Sequence, residues 1–215
     1  MAETDTPTPI FEFTGNRLCL DFTNTVHDRE DTPRELLRSY SDLLAWGEQA
    51  HILSQSEVQH LRQQAEQHRD EAQTVLHEAI AMRETIYRIC QATATGSVPA
   101  GAELDAFNDM LAQAMSQACL QPQGEGFIWE WRNKGQALKS VLWPVVRSAA
   151  DVLTSEDRER VRICAADDCN WLFLDTSKNH TRRWCDMKSC GNRAKVRKHY
   201  SQKKSVSVTY LSNVE

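Results

Sequence analysis

A chain of 215 residues with 40% apolar and 26% charged side chains has room for one large domain, or a medium domain plus a small module, and the composition of a soluble globular protein. No apolar run approaches the roughly 20 residues that span a bilayer, and the acidic start MAETDTPTPIFEF lacks the basic and apolar segments of a secretion signal, so the expected compartment is the cytoplasm. The net charge of -5 is unevenly placed: residues 160–204 hold twelve Lys and Arg against four Asp and Glu, a formal +8, and with Glu215 beyond them residues 1–159 carry -12.

Residues 1–10 are polar with two prolines and read as flexible. Phe11 to Phe13 alternates as a short strand does, and Gly15-Asn16 supplies a turn. The segment LCLDFTNTVHD, residues 18–28, suits either a strand or a helix. Thr32-Pro33-Arg34-Glu35 predicts a helix start, with Thr32 as cap, Pro33 at the first helical position and Glu35 completing a capping box. Leu36, Leu37, Leu43, Leu44 and Trp46 then form its buried side up to Gly47. Ser54 to Glu57 repeats the capping-box pattern and opens a second helix. In 68–92, Ala72, Val75, Ala79, Met82, Ile86 and Ile89 recur at steps of 3, 4, 3, 4 and 3. That stripe suits a helix packed in an up-and-down bundle, or the seam of a homodimer.

Residues 96–101 form a loop, and Leu104, Phe107, Leu111, Ala114 and Ala118 mark the next helix. The run 121–126 breaks the pattern. Phe127 to Arg132, FIWEWR, sets aromatics at alternate positions, which predicts a strand that pairs with the one near Phe11. Leu138, Val141, Leu142, Val145, Ala149 and Val152 give a final helix with a kink or restart at Pro144. After Thr154 to Asp157 the composition turns basic. The fold class is therefore mainly α. A helical domain with a small β element occupies 1–157, a cysteine-rich module 158–204, and a tail 205–215.

Seven cysteines in a reducing compartment indicate metal or free thiols. Cys164, Cys169, Cys185 and Cys190 read C-x4-C, fifteen residues, C-x4-C. Each pair places two sulfurs on one ion through a tight turn, and the spacer brings the second pair opposite the first. Tetrahedral zinc needs four such ligands, although iron also accepts four thiolates. Four protein ligands leave no open position, so one zinc ion with a structural role is expected. Asn170 to Asp175 suits a strand, 176–179 a turn, His180 to Trp184 a return strand, and the stretch after Cys190 a helix, which together make a treble-clef-like zinc finger. So small a module couples folding to metal binding. His180 and His199 are surplus to the four thiols. Cys19, Cys90 and Cys119 lie among apolar neighbours and read as small buried hydrophobes, while Trp171, Phe173 and Trp184 suit a mini-core.

Arg182, Arg183, Lys188, Arg193, Lys195, Arg197, Lys198, Lys203 and Lys204 cluster on this module. Arg193 and Arg197 share a helical face, as do Lys195 and Lys198. Such a stripe can neutralise phosphates, which makes DNA the expected partner. RNA binding, or a charged face for docking on a protein, fits the same charges. Arg193, three residues after a ligand, equally suits a bond back to the metal site. The acidic body contains no phosphate loop, nucleophile elbow or H-E-x-x-H pair, so no enzymatic activity is expected. Asp21, Asn24, His27 and Asp28 gather in one segment. Asp21 and Asn24 are candidates for a small-molecule effector site, or for ties to backbone turns.

The run RRWCDMKSCGNRAKVRKH, residues 182–199, resembles the CGNR zinc finger, whose tetrad is here Cys190 to Arg193. RICAADDCNWLFLDTSKN, residues 162–179, is similar to the first half of that finger, and LCLDFTNTV, residues 18–26, resembles the opening motif of the ABATE domain. Proteins of this pairing are bacterial and described as stress-induced transcription regulators. The resemblance implies DNA binding through the finger, with the N-terminal domain as a sensor or assembly module.

Overall fold

The computed structural model describes residues 8–29, 31–197 and 200. Residues 1–7, Lys198, His199, Lys203, Lys204 and the tail 205–215, all singled out by the sequence, lie outside the described residues.

The ambiguous segment becomes helix α1 (Leu18–Thr23), in which Cys19, Leu20 and Phe22 are wholly buried. A short helix with so little polar surface belongs in a core, and α1 packs on helix α4 (Arg69–Thr95), helix α6 (Trp143–Thr154) and strand β6 (Leu172–Leu174). Strands β1 (Val26–His27) and β2 (Arg34–Glu35) then form an antiparallel ribbon, with Val26 opposite Glu35 and His27 opposite Arg34.

The helix start at Thr32 to Glu35 is therefore corrected. Glu35 is held in the ribbon by Arg83, which is 3% exposed and forms two 2.7 Å bonds to its carboxylate. The fork-to-fork ion pair outweighs a local cap that would have used the same carboxylate. Helix α2 (Tyr40–Gln49) starts later, where the Ser39 hydroxyl accepts a bond from the Asp42 amide. The second capping box is present as expected: Ser54 and Glu57 cap each other's backbone at the head of α3 (Gln55–Gln67).

The stripe of α4 is buried, with Ala72, Val75, Ala79, Met82, Ile86 and Ile89 all between 0% and 5% exposed. These residues fill the protein's own core beside α1, α2 and α6, so they form no seam for a second copy. Helix α5 (Gly101–Ser116) packs on α4 and α6. FIWEWR forms strand β4 (Gly126–Trp131) as expected, but its partner is β3 (Ala118–Gln123), the adjacent segment read as helix end and break. Gly124 at φ 58° makes the tight turn, and Pro122 is tolerated because both strands of a two-stranded ribbon are edges. Phe11 finds a different partner: its amide donates to Gln49 Oε1 at 3.0 Å, and Gln49 Nε2 donates to the carbonyl of Pro9. Pro144 marks a restart, with a 3-10 turn over Leu138–Val141 followed by α6. Among the described residues no helix is long and apolar enough to cross a membrane.

Packing runs directly from this body into the cysteine module. Strand β5 (Val161–Ile163) pairs antiparallel with β6, and Val161, Leu172 and Leu174 belong to the same apolar core as α1 and α4. Leu172 and Leu174 turn all four of their backbone groups to the edge that β5 does not cover. Asn24 meets the first pair, its Nδ2 donating to Leu172 O at 2.8 Å and its Oδ1 accepting from Leu172 N at 3.0 Å. The amide of Leu174 donates to Gly15 O at 2.8 Å, and Asn16 Nδ2 donates to Leu174 O at 3.0 Å. Tyr87 of α4 adds a bond to the carbonyl of Asn170, and Trp171 Nε1 donates to Val26 O.

Replacing Asn24 by Ala strands two buried backbone groups of Leu172, and the expected loss of stability is about 2–6 kcal/mol, at 1–3 for each unpaired group. Asn24→Asp keeps the acceptor for Leu172 N–H but sets a carboxylate against Leu172 O, so it destabilises as well. Urea melts of both variants check this, and wild-type midpoints would remove Asn24 from the account of the seam.

Candidate metal centre and its basic surroundings

The first cysteine pair is placed by the end of the ribbon. Cys164 follows β5, its amide donating to Trp171 O at 2.8 Å, and Cys169 N donates to Ala166 O at 3.2 Å. Asn170 adopts φ 55°, a left-handed conformation that asparagine tolerates, and turns the chain into β6. The treble-clef reading requires one correction here. His180 to Trp184 forms no return strand, because β5 already pairs with β6. The return path is pinned by Asp175, which the sequence analysis did not single out. This residue is 0% exposed, its Oδ1 accepting from the amide of Ser177 and its Oδ2 from that of Arg182, both at 2.9 Å. Although burial opposes ionisation, these bonds hold its carboxyl below the usual range. An Asp followed two residues later by Ser is the available sequence signal for such a turn.

Of the second pair, Cys190 sits on a π-type turn, Met187–Gly191, and Cys185 just precedes its cap Asp186, whose carboxylate accepts from Ser189 N at 2.9 Å. A Cβ at Gly191 would meet Met187 Sδ at 2.9 Å, so a side chain there requires the exposed Met187 side chain to shift. Residues 192–197 continue as an α-helix, the expected closing element.

The four sulfurs all lie within 4.8 Å of one another, with Cys169–Cys185 at 3.6 Å and Cys185–Cys190 at 3.5 Å. Zinc–sulfur bonds of about 2.3 Å set a tetrahedron edge of about 3.8 Å. The thiols are 1–6% exposed. Donor type, spacing and burial thus fit one structural zinc ion with no position left for water. Hydrogen bonds from Cys169 and Cys185 draw the Cys164 thiol down. Cys169 and Cys185 are pushed up, chiefly by sharing those bonds with Cys164, and Cys190 by burial. A bound dication would favour the thiolate form of all four. Donors around the sulfurs offset the residual charge: Cys185 N points to Cys164 Sγ at 3.4 Å and Arg193 Nη2 to Cys190 Sγ at 3.1 Å.

The basic residues divide by what they touch. Arg182 lies over the Phe173 ring at 4.5 Å, and its guanidinium donates to the carbonyls of Trp184, Cys185 and Thr14, which ties the finger to the body. Arg193 also faces Asp168 at 3.6 Å, and Arg197 reaches Asp167 at 3.4 Å and Asp168 at 3.0 Å. The shared face of Arg193 and Arg197 thus turns to the first knuckle. Arg183 stacks at 5.4 Å over Trp184 and is exposed. Lys188 and Lys195 are exposed, with no ion pair among the described residues.

Trp171 and Phe173 are buried beside the cysteines with Trp184 against them, as a mini-core requires. His180 is exposed, its ring 3.4 Å from the carbonyl of Asp175, and takes no part in the thiol cluster. Burial pushes Cys19 up to about 12 and Cys90 well above its ordinary value, which suits inert buried thiols. Cys119 is only half-buried, its thiol donating to Glu130 O at 3.5 Å, because it lies on the β3–β4 ribbon and not in the core. Asp21 accepts from Gly15 N at 2.7 Å, and Gly15 in turn receives Leu174, so Asp21 supports the seam that Asn24 closes.

Residues 16–156 match the model of the ABATE family, described as a putative stress-induced transcription regulator, and residues 160–203 match that of the CGNR zinc finger. The chain belongs to the ABATE family. A comparison with curated proteins finds no match. The ABATE match begins at Asn16, the residue whose side chain already bonds the finger, and includes Asn24 as well.

Two outcomes follow for this ABATE protein. Metal analysis gives one zinc per chain, and Cys169→Ser lowers zinc retention and unfolds 160–197 to proteolysis; full zinc in that variant would contradict the tetrad. Burial also raises Asp21 to about 6, so the unfolded chain ionises before the folded one as pH rises. That penalty is absent below about pH 4, grows up to pH 6 and is complete above it. Asp21→Asn keeps the bond to Gly15 and is expected to be more stable than wild type at pH 7 by about 3 kcal/mol, from 1.36 per unit, with the difference vanishing near pH 4. Paired thermal melts across that range check the sign.

Proposed function

We propose that this ABATE–CGNR protein is a transcription regulator that binds duplex DNA through its zinc finger, with the N-terminal domain as the sensor or assembly module. The observation that carries the reading is the set Arg183, Lys188 and Lys195: exposed cations around the thiol cluster that form no ion pair among the described residues. Lys198, Lys203 and Lys204 extend the same run in the sequence. An unneutralised charge cluster beside an acidic body attracts a polyanion and repels it elsewhere, which orients the encounter. The closed metal site supports a structural role for zinc and requires no catalytic step. A regulator also needs an input. A cavity of about 260 Å³ between α4, α5 and α6 is lined by Met82, Met110, Trp143 and Val146, with the Glu78–Lys139 ion pair at its mouth, and offers a place for a small effector. This role places the protein in the bacterial cytoplasm.

Binding of the intact protein to genomic duplex fragments across a salt series tests the reading. Affinity is expected to fall steeply, with a log–log slope of about -0.9 per phosphate neutralised. The triple variant Arg183→Ala, Lys188→Ala, Lys195→Ala is expected to flatten that slope by about 3 while zinc content stays at one per chain. Chelation is expected to abolish binding. A flat salt response would favour a protein-docking adaptor, and preference for an RNA duplex would move the partner to RNA.

A further inference from the structure

We propose that the β1–β2 ribbon of the ABATE domain forms part of the DNA-contacting surface, with Arg34 binding a backbone phosphate beside the zinc finger. The inference rests on the DNA-binding reading above and extends it from the finger to the body.

The ribbon's register decides which side chains face which way. Directly opposed residues on an antiparallel pair project to the same side. Val26 and Glu35 form one such pair and face the body, Val26 being 4% exposed and Glu35 gripping Arg83. His27 and Arg34 form the other pair and so share the opposite face. That face adjoins the finger. The His27 ring lies 4.8 Å from the Trp171 ring, and Trp171 Nε1 donates to the carbonyl of Val26 at 2.9 Å. Trp171 in turn receives the amide of Cys164, so the ribbon is seated on the first knuckle. Burial lowers the pKa of His27, and the nearby charges of Arg34 and Arg193 lower it further, which puts both guanidinium groups in the neighbourhood of one imidazole.

Arg34 differs from the arginines around it. Arg29 turns inward to Glu84, the carbonyl of Thr23 and the Tyr87 ring, and Arg38 pairs with Asp42 at 3.4 Å. Arg34 is exposed and has no ion pair among the described residues. A cation held at the seam by a register, with no ion pair among the described residues, presents its charge beside His27, on which Arg193 of the closing helix also acts. The ribbon's turn carries Asp28 and Asp31, which repel phosphate, so the contact is confined to Arg34 at the ribbon's base. Such a phosphate contact carries no sequence information; it fixes the finger's orientation on the duplex.

The test uses the full-length, zinc-loaded protein on duplex DNA across a salt series, comparing wild type with Arg34→Ala, Arg34→Lys and Arg69→Ala. Arg69 is an equally exposed arginine at the start of α4, eighteen residues before Tyr87 and so about 27 Å along the helix from the finger contact. Arg34→Ala is expected to weaken binding roughly 3–10-fold at fixed salt and to flatten the slope by about 0.9, the value of one phosphate. Arg34→Lys is expected to restore most of the affinity, and Arg69→Ala to match wild type. Zinc content and melting temperature should be unchanged in all four proteins. If wild type binds and Arg34→Ala equals it in affinity and slope, the ribbon contact is overturned while the finger reading stands. Equal losses in Arg34→Ala and Arg69→Ala would reduce the effect to net charge and overturn it too. No duplex binding by wild type would remove the DNA reading, and this inference with it.

Discussion

The edge of β6 that β5 leaves uncovered sets the terms for the rest of this protein. Four backbone groups, two on Leu172 and two on Leu174, face the body there and are buried by it. Without partners each would oppose folding by about 1–3 kcal/mol. Asn24 satisfies two of them with a single side-chain amide, which offers a donor and an acceptor as a peptide group does. Gly15 and Asn16 satisfy the others, and Asp21 holds Gly15 in place. Leu172 and Leu174 project into the body's core from the same strand that leads out of the first cysteine knuckle. The metal module is thus closed by zinc at one end and by the N-terminal motif at the other.

The charges of the module follow from that construction. Four thiolates on one dication leave a residual negative charge, and Arg193 donates to one of the sulfurs. Arg182 joins the carbonyls of Trp184 and Cys185 in the finger to that of Thr14 across the seam, and Arg197 anchors the closing helix to Asp167 and Asp168. These cations hold the finger together. Arg183, Lys188 and Lys195 are exposed and form no ion pair among the described residues. A basic composition alone merges the two groups, because both count equally toward the formal +8 of residues 160–204.

Local signals were legible wherever the chemistry was complete within a few residues. The Ser54–Glu57 capping box, the α4 stripe, the restart at Pro144 and the paired cysteines all use neighbours one to five positions apart. Failures occurred where a distant residue competed for the same group. Thr32 to Glu35 has the pattern of a helix start, but Arg83, 48 positions away, holds the carboxylate in a strand. FIWEWR pairs with the segment beside it, not with Phe11, since Gln49 bonds the backbone on both sides of Ile10. The expected hairpin after Asp175 does not form because β6 already has β5 on one side and the body on the other.

By itself the sequence determined the ligand set, the identity of the two modules and the imbalance of charge between them. Those depend on residue type and short spacing, and a thiol pair with four residues between its members can bend round an ion through one local turn. Only the tertiary structure decided how the cations are divided, what Asp21 and Asn24 do, and that the finger shares an apolar core with the body. Each of those depends on groups that meet across up to 168 positions of chain, as Arg182 meets Thr14. A hydrogen bond at that separation leaves no periodicity in the sequence, because it reflects where two turns come to rest and not what lies beside them.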